Sequence, residues 1–312
     1  MNRHPLNQSP FFKLRSRKKL ANILGLGLKD LEVFAQNEAD ENYRLFEIRR
    51  GGKARPIQWP IPCLQRIHKR VCDLLARIET PNYLHSAIKG RSYLSNAKAH
   101  SGDTALVKVD IRKFFPSVTV QSVKSFFLKT MGCSPDVAAV LSKVLTVYGH
   151  LPTGSSVSPI LSFYAHLDMF GEIEQLARKR GAVMTCYVDD MCFSGRSVTR
   201  KFLYEVRLII HRHGLKTHKI HCFAPGVPRI VTGVVVTGDG MKLPNKRHQA
   251  IAEDFAKFQS SLDEKQKLKI FQSLLGRVNE ASQIEPRWKN KATSLCQEVN
   301  KMLYCGRQND GC

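Results

Sequence analysis

Three aspartates stand where a metal-dependent reaction could use them. Asp189 and Asp190 are adjacent, between two strand-like runs, Val183-Met184-Thr185-Cys186-Tyr187 and Met191-Cys192-Phe193-Ser194. The pattern is a β-hairpin with acids at its tip. Successive side chains on a strand point to opposite faces, but a tight turn breaks that alternation and lets two carboxylates converge on one cation. Like charges so close shift each other's pKa, and a strong counter-charge is expected. Asp is also a common turn residue, and an isolated pair reads as a solvated turn. The third acid, Asp110, ends the run Ala105–Val109 in the same way. Neighbouring strands lie about 4.8 Å apart, so acids at adjacent strand ends can share hard cations. Two Mg²⁺ ions about 3.5–4 Å apart would activate an attacking hydroxyl and stabilise the leaving oxygen of a phosphoryl group. No Cys or His cluster competes for a softer metal, which leaves Mg²⁺, with Mn²⁺ as a possible substitute.

The elements around the acids follow from periodicity. Tyr43–Ile48 reads as a strand, Gly51-Gly52 as a turn and Arg55–Trp59 as the return strand. Residues 63–79 carry Leu64, Ile67, Val71, Leu74, Leu75 and Ile78 at helical spacing. A helix is expected over 21–40, a short one at Ser95–His100, and two over 119–130 and 135–147. A long helix is expected over 159–180, with Ser158 as its cap, Pro159 at its first position and Gly181 at its exit. Another spans 198–213 and ends at Gly214, with short strands over 215–236. Residues from about 245 onward read helical: 245–262, 264–281 and 287–304. The centre fits a split βαβ sheet with helices on one face.

The chain has 312 residues, 43% of them hydrophobic, enough for a folded core. Its charge is unusual: 49 Lys and Arg against 26 Asp and Glu, a formal +23. Such an excess points to a polyanion, nucleic acid first and an anionic membrane surface second. No run approaches the roughly 18 apolar residues of a membrane span, and no secretory signal is expected. The nine cysteines form no Cys-x-x-Cys pair or zinc quartet, which suits reduced thiols in a cytosol. Cys63, Cys72, Cys186 and Cys192 read as small core residues. Residues 1–20, basic and punctuated by Pro, read as an arm that orders on a partner.

Three stretches together resemble the palm of a reverse transcriptase: Val107-Lys-Val-Asp110-Ile-Arg-Lys-Phe-Phe115, Leu151-Pro-Thr-Gly154 through Ser158-Pro159, and Tyr187-Val-Asp-Asp190. Two further stretches, Asn96-Ala97-x-x-His100 and Val231-Thr232-Gly233, resemble the regions that mark bacterial retron reverse transcriptases. The resemblance covers roughly residues 40–240. It implies an α+β right-hand polymerase: a basic arm and helix over 1–40, fingers over 41–104, a ferredoxin-like palm over 105–240 with finger helices within 119–150, and a helical thumb over 241–312.

The resemblance also implies roles. Asp110, Asp189 and Asp190 would hold two metal ions, Asp190 most weakly. Phe115 would exclude a 2′-OH, while Phe114 would be core. Arg55 and Lys53 would meet the triphosphate; an ordinary solvated charge is the plainer reading. Thr153, where the family has Gln, and Gly154 would face the template and incoming base. Asn96, His100, Val231, Thr232 and Gly233 would contact a cognate noncoding RNA. Lys219 or His221 would serve as general acid. Val188, where the family has Ala, would crowd the primer end. Lys265, Lys267, Lys269 and Arg277 would grip a template–primer backbone.

The activity implied is RNA-directed DNA synthesis from a guanosine 2′-OH of that RNA. The single-stranded DNA product would stay attached to the RNA, and dNTPs would be the substrates. An effector protein and antiphage defence in a bacterial cytoplasm complete the expectation. A group II intron or diversity-generating reverse transcriptase, and a non-catalytic RNA-binding scaffold with a relict palm, stay open as alternatives. The Walker-type phosphate loop is absent.

Overall fold

The computed structural model describes residues 3–261 and 263–297. By contacts these form two compact units: residues 3–92 with 105–223, and residues 93–104 with 224–297. Residues 93–104 thus group with the C-terminal part and not with the segment they follow.

In the first unit, β1 (Tyr43–Arg50) and β2 (Lys53–Pro60) form an antiparallel hairpin. A four-stranded antiparallel sheet comprises β3 (Leu106–Ile111), β4 (Val183–Tyr187), β5 (Asp190–Ser194) and β6 (Thr217–Phe223), in the order β4-β5-β3-β6. Helices intervene between β3 and β4 and between β5 and β6, which is the ferredoxin-like β-α-β-β-α-β arrangement. Alternation along β3 sends Val107 and Val109 to the buried face, opposite Phe193 and Met191 of β5. Phe193 meets Phe202 of the helix Arg200–Arg212 edge to face, ring centres 5.2 Å apart. Lys108 and Asp110 take the other face.

Three helix expectations need correction. The stretch 21–40 is two helices, Arg17–Leu24 and Leu28–Gln36, because Gly25 adopts φ +75° and closes the first. The long helix divides at His166 into Ser158–Ala165 and Leu167–Lys179, where His166 leaves helical geometry and lies beside Phe114. Ser158 is inside the first of these rather than capping it, and its hydroxyl donates to the Pro152 carbonyl at 2.6 Å.

The N-terminal segment needs no partner to order it. Phe11, Leu14 and Leu20 are buried in the first unit. Lys13 N–H donates to the Met131 carbonyl and Leu14 accepts from Ser134 N–H. Burying a Phe or Leu contributes about 1.5–3 kcal/mol, and these anchors outweigh the charge between them. Cys186 and Cys192 are buried as expected, whereas Cys63 is exposed on the helix Pro62–Leu75.

The second unit holds a three-stranded meander of β7 (Arg229–Val231), β8 (Val234–Thr237) and β9 (Gly240–Lys242). The short helix Tyr93–Lys98 packs against it. Helices Asn245–Ser260 and Glu264–Ile284 follow, and residues 289–297 are helical. Phe271, Leu274, Val278 and Ile284 are among their buried residues. The rest of the helix expected over 287–304 lies outside the described residues. Among the described residues no helix is long and apolar enough to cross a membrane.

Candidate active site

The register of the sheet brings the three acids together. Asp110 on β3 is paired directly with Asp190 on β5. Tyr187 and Asp190 close the β4–β5 hairpin, leaving Val188 and Asp189 as its two turn residues. Ile111 N–H donates to the Asp189 carbonyl at 2.9 Å, so β3 holds the turn from one side. Asp110 is also opposite His218 on β6.

Basic side chains supply the expected counter-charge. Lys108 Nζ lies 2.7 Å from Asp190 Oδ2, with both side chains less than one-fifth exposed. Lys219 Nζ lies 3.5 Å from Asp110 Oδ2, and His218 Nδ1 lies 3.1 Å from Asp110 Oδ1. The reach of Lys219 comes from a bulge: β6 carries one extra residue between the pairs Lys108–His221 and Asp110–His218. Lys219 sits there at φ +48°, and a bulge of this kind re-aims a side chain. Of the two residues expected as general acid, Lys219 is brought to the acids. His221 is exposed and stands across from Lys108, one row further along the sheet. Lys108 and His218 were missed by the sequence reading, although Lys108 shares a strand face with Asp110 by simple alternation.

Burial and mutual repulsion set the ionisation of the acids. Asp189 is pushed up to about 6, by burial first and then by Asp110. Burial also raises Asp190, with Lys108 opposing it. Burial alone would lower the Lys108 ammonium, but Asp190 outweighs it and holds it above its ordinary value.

A divalent cation fits this donor set. Oδ1 of Asp190 is buried and makes no hydrogen bond; Oδ1 of Asp110 is also buried, with His218 Nδ1 3.1 Å away but outside hydrogen-bond geometry. Buried carboxylate oxygens without a hydrogen bond are costly, and a hard cation would satisfy them. Among the described residues no trio of acids, His or Cys forms a finished metal cage, so the fit rests on those two oxygens.

The remaining expected residues divide. Phe114 is buried and Phe115 half-buried, their rings stacked 6.2 Å apart, which leaves Phe115 the accessible one. Arg55 is exposed on β2, opposite Ile48. Lys53 begins β2, and its side chain lies outside what is described. Thr153 and Gly154 face β2. The Thr153 hydroxyl donates to the Pro56 carbonyl at 2.9 Å and accepts from Gln58 N–H at 3.2 Å. Gly154 N–H donates to the Gln58 carbonyl, and a Cβ on Gly154 would lie 2.7 Å from that oxygen. The glycine is therefore required for the close approach of the loop to the hairpin.

The loop behind Gly154 has a buried anchor. His68 is fully buried, with Nε2 2.8 Å from the Val144 carbonyl and Nδ1 2.6 Å from Ser155 Oγ. A carbonyl only accepts, so Nε2 carries the proton and Nδ1 accepts from Ser155. Ser155 in turn accepts from Val157 N–H.

The second unit joins the two marker stretches. Asn96 Nδ2 donates to Thr232 Oγ1 at 3.4 Å, and Thr232 Oγ1 donates to the Tyr93 carbonyl at 2.9 Å. Thr232 and Gly233 lie between the paired Val231 and Val234, with φ +44° and +81°. That is the signature of a type I′ hairpin turn. Asn96, His100 and Val231 are fully buried. They build the unit, and only Thr232 and Gly233 are partly accessible. Arg229, missed by the sequence reading, is buried beside them and donates to the carbonyls of His100, Gly102 and Thr104. Of the basic residues expected to grip nucleic acid, Lys269 is exposed, Lys267 covers the Phe258 ring and Arg277 pairs with Asp254. The Lys265 side chain lies outside what is described.

An antiparallel sheet with paired acids at the tips of its central strands is the arrangement expected of a polymerase palm. Residues 48–224 match the family model described as reverse transcriptase (RNA-dependent DNA polymerase). The chain belongs to that family. Its curated relatives include the retron Se72 reverse transcriptase of Salmonella heidelberg (strain 579083-10), 29% identical over 62% of this chain and 51% of the relative. The retron Mx162 reverse transcriptase of Myxococcus xanthus is 29% identical over 75% of this chain and 56% of its own length. The retron Ec86 reverse transcriptase of Escherichia coli is 27% identical over 68% and 69%. The chain thus resembles retron-type members, and it spans about half the length of the first two. The solved structure of a foamy viral protease–reverse transcriptase with double-stranded DNA aligns over 83% of this chain and 39% of its own, at a TM-score of 0.49 and 18% identity.

Proposed function

We propose that this chain is an RNA-directed DNA polymerase of the retron kind. The supporting observation is the direct pairing of Asp110 with Asp190, Asp189 at the adjoining turn, and a buried Asp190 oxygen that makes no hydrogen bond. In this reading β3–β6 and their helices are the palm, β1–β2 belongs to the fingers, and helices 245–260 and 264–284 belong to the thumb.

Asp110, Asp189 and Asp190 would hold Mg²⁺, or Mn²⁺ in its place. When bound, the metal would supply charge stabilisation to a transferring phosphoryl group and lower the pKa of an attacking hydroxyl. The chain's own residues do the rest. Lys108 and Lys219 balance the acids while the site is metal-free. Lys219 is the better placed of the two residues proposed to protonate the departing pyrophosphate. Phe115 offers a bulky ring against a 2′-OH, and Arg55 a charge for the triphosphate. Thr153 and Gly154 hold the loop to β2. Thr232 and Gly233 would meet a cognate noncoding RNA, with Asn96 and His100 shaping their turn from beneath.

The finer reading is that synthesis starts from a guanosine 2′-OH in that RNA. The DNA would stay attached, and the complex would act with an effector protein in antiphage defence. Its support is the likeness to retron enzymes and the joined marker stretches. Primer extension with dNTPs and Mg²⁺ tests the polymerase, and full activity in the double variant Asp189→Ala, Asp190→Ala would sink it. Sequencing of copurified nucleic acid tests the retron reading: DNA branched from RNA is expected, and intron RNA would overturn it.

A further inference from the structure

The turn that carries Asp189 is strained. Val188 adopts φ +61°, a left-handed conformation that a β-branched residue rarely takes. Such a conformation costs about 1–3 kcal/mol and persists only where the surroundings hold it. On one side the holding group is β3, through Ile111 N–H on the Asp189 carbonyl. On the other it is a loop far away in sequence.

Residues 83–86 run along the outer edge of β4. Cys186 N–H donates to the Tyr83 carbonyl at 2.7 Å, and His85 N–H donates to the Cys186 carbonyl at 2.9 Å. Leu84 and Cys186 form a parallel bridge. The loop is itself stapled, since Arg91 Nη1 donates to the carbonyls of Pro81 and Leu84 at 2.7 and 2.6 Å. At its end Ser86, 3% exposed, accepts the Val188 N–H on its Oγ at 3.0 Å. The strained residue's own amide is thereby latched to a rigid edge segment.

We propose that Ser86 is a positioning residue for catalysis. Its hydroxyl holds Val188 in the left-handed conformation and so fixes where the adjoining Asp189 carboxylate points. Ser86 touches neither substrate nor metal in this role. The inference rests on the polymerase reading of the acids, but its structural half can be tested without that reading.

The experiment compares Ser86→Ala and Ser86→Thr with the unaltered chain in primer extension and in hydrogen exchange of the peptide spanning residues 184–192. Ser86→Ala is expected to lower kcat about tenfold, the effect of some 1.4 kcal/mol in the barrier, with the KM for dNTP little changed. Exchange in that peptide should quicken about tenfold, while the melting temperature moves little. Ser86→Thr keeps the acceptor and should restore both. Val188→Gly removes the conformational cost, so Ser86→Ala should do less damage to kcat in that background. Unchanged exchange in Ser86→Ala would overturn the latch. So would a loss that Thr does not restore, or one that follows global stability. If the unaltered chain makes no DNA while exchange still responds, the polymerase reading fails and the latch stands.

Discussion

Lys108 Nζ and Asp190 Oδ2 are 2.7 Å apart, two positions before one paired acid and on its partner across the strands. The lysine occupies one oxygen of Asp190 and leaves the other bare. In the proposed metal site Lys108 would compete with the ion for Asp190, as Lys219 would for Asp110. Lys108→Met should weaken the metal-free protein by about 1–3 kcal/mol, because a partly buried carboxylate loses its partner. It should also tighten the binding of Mn²⁺ severalfold, because a competing positive charge is gone. Denaturant melts in chelator and Mn²⁺ titration by calorimetry measure the two effects. Weaker Mn²⁺ binding in the variant would show that Lys108 helps the site to bind metal rather than competing with it.

Asp189 is the acid that burial and Asp110 push up to about 6. The folded protein therefore holds this proton more tightly than the unfolded chain. Stability contributed by the protonated form is present at low pH and is lost as pH rises through about 6. At pH 7 and without metal, ionised Asp189 is a cost. Asp189→Asn should raise the stability of the metal-free protein by about 1–2 kcal/mol after allowance for solvent screening. The gain should vanish near pH 4. Thermal melts in chelator at both pH values check it, and a melting temperature lower than that of the unaltered chain at pH 7 would contradict it.

His68 has the opposite leverage. Burial lowers it from 6.5 to about 4, and His166 is lowered likewise, by burial and then by His213. Both are held neutral when folded, so the unfolded chain takes up protons first. Stability is therefore full above about pH 6.5 and falls as the pH drops towards 4, by an order of 2–3 kcal/mol for each group. Urea midpoints measured at pH 7 and pH 5 should differ in that direction. In His68→Gln the difference should shrink, along with the anchoring of Ser155.

The strands that carry the three acids were legible in the sequence because they depend on local signals. Period-two alternation marked β3, short apolar runs marked β4 and β5, and a break in apolar character marked the acidic turn. The reason for Gly154 was not legible. It lies in the backbone of Gln58, a contact across some 95 residues. The N-terminal segment was misread because charge dominates its composition while three apolar anchors decide its packing. His218 and Lys219 reach Asp110 through a bulge, and a one-residue register shift leaves no mark on apolar periodicity. The marker residues Asn96, His100 and Val231 were recognisable by pattern, but pattern does not distinguish a surface contact from a buried one.

That buried arrangement makes a final prediction. Gly233 has φ +81°, and a Cβ there would lie 3.0 Å from Arg247 Nη2. Arg247 cannot withdraw freely, because it pairs with Glu280 at 2.8 Å. Gly233→Ala should therefore destabilise the second unit by about 1–2 kcal/mol, combining the left-handed backbone cost with the crowding. Thr232 bears the same backbone cost at φ +44° but recovers part of it through its hydrogen bonds to Tyr93 and Asn96. Removing Asn96 and Thr232 together should then cost less than the two single changes added, with a coupling of about 0.5 kcal/mol or more. Denaturant melts of Asn96→Ala, Thr232→Ala and the double variant measure that coupling. Strict additivity would mean that the two marker stretches adjoin without supporting each other. Coupling of the expected size would make them one device, in which an alteration at Asn96 disturbs the accessible turn at Thr232 from inside the unit.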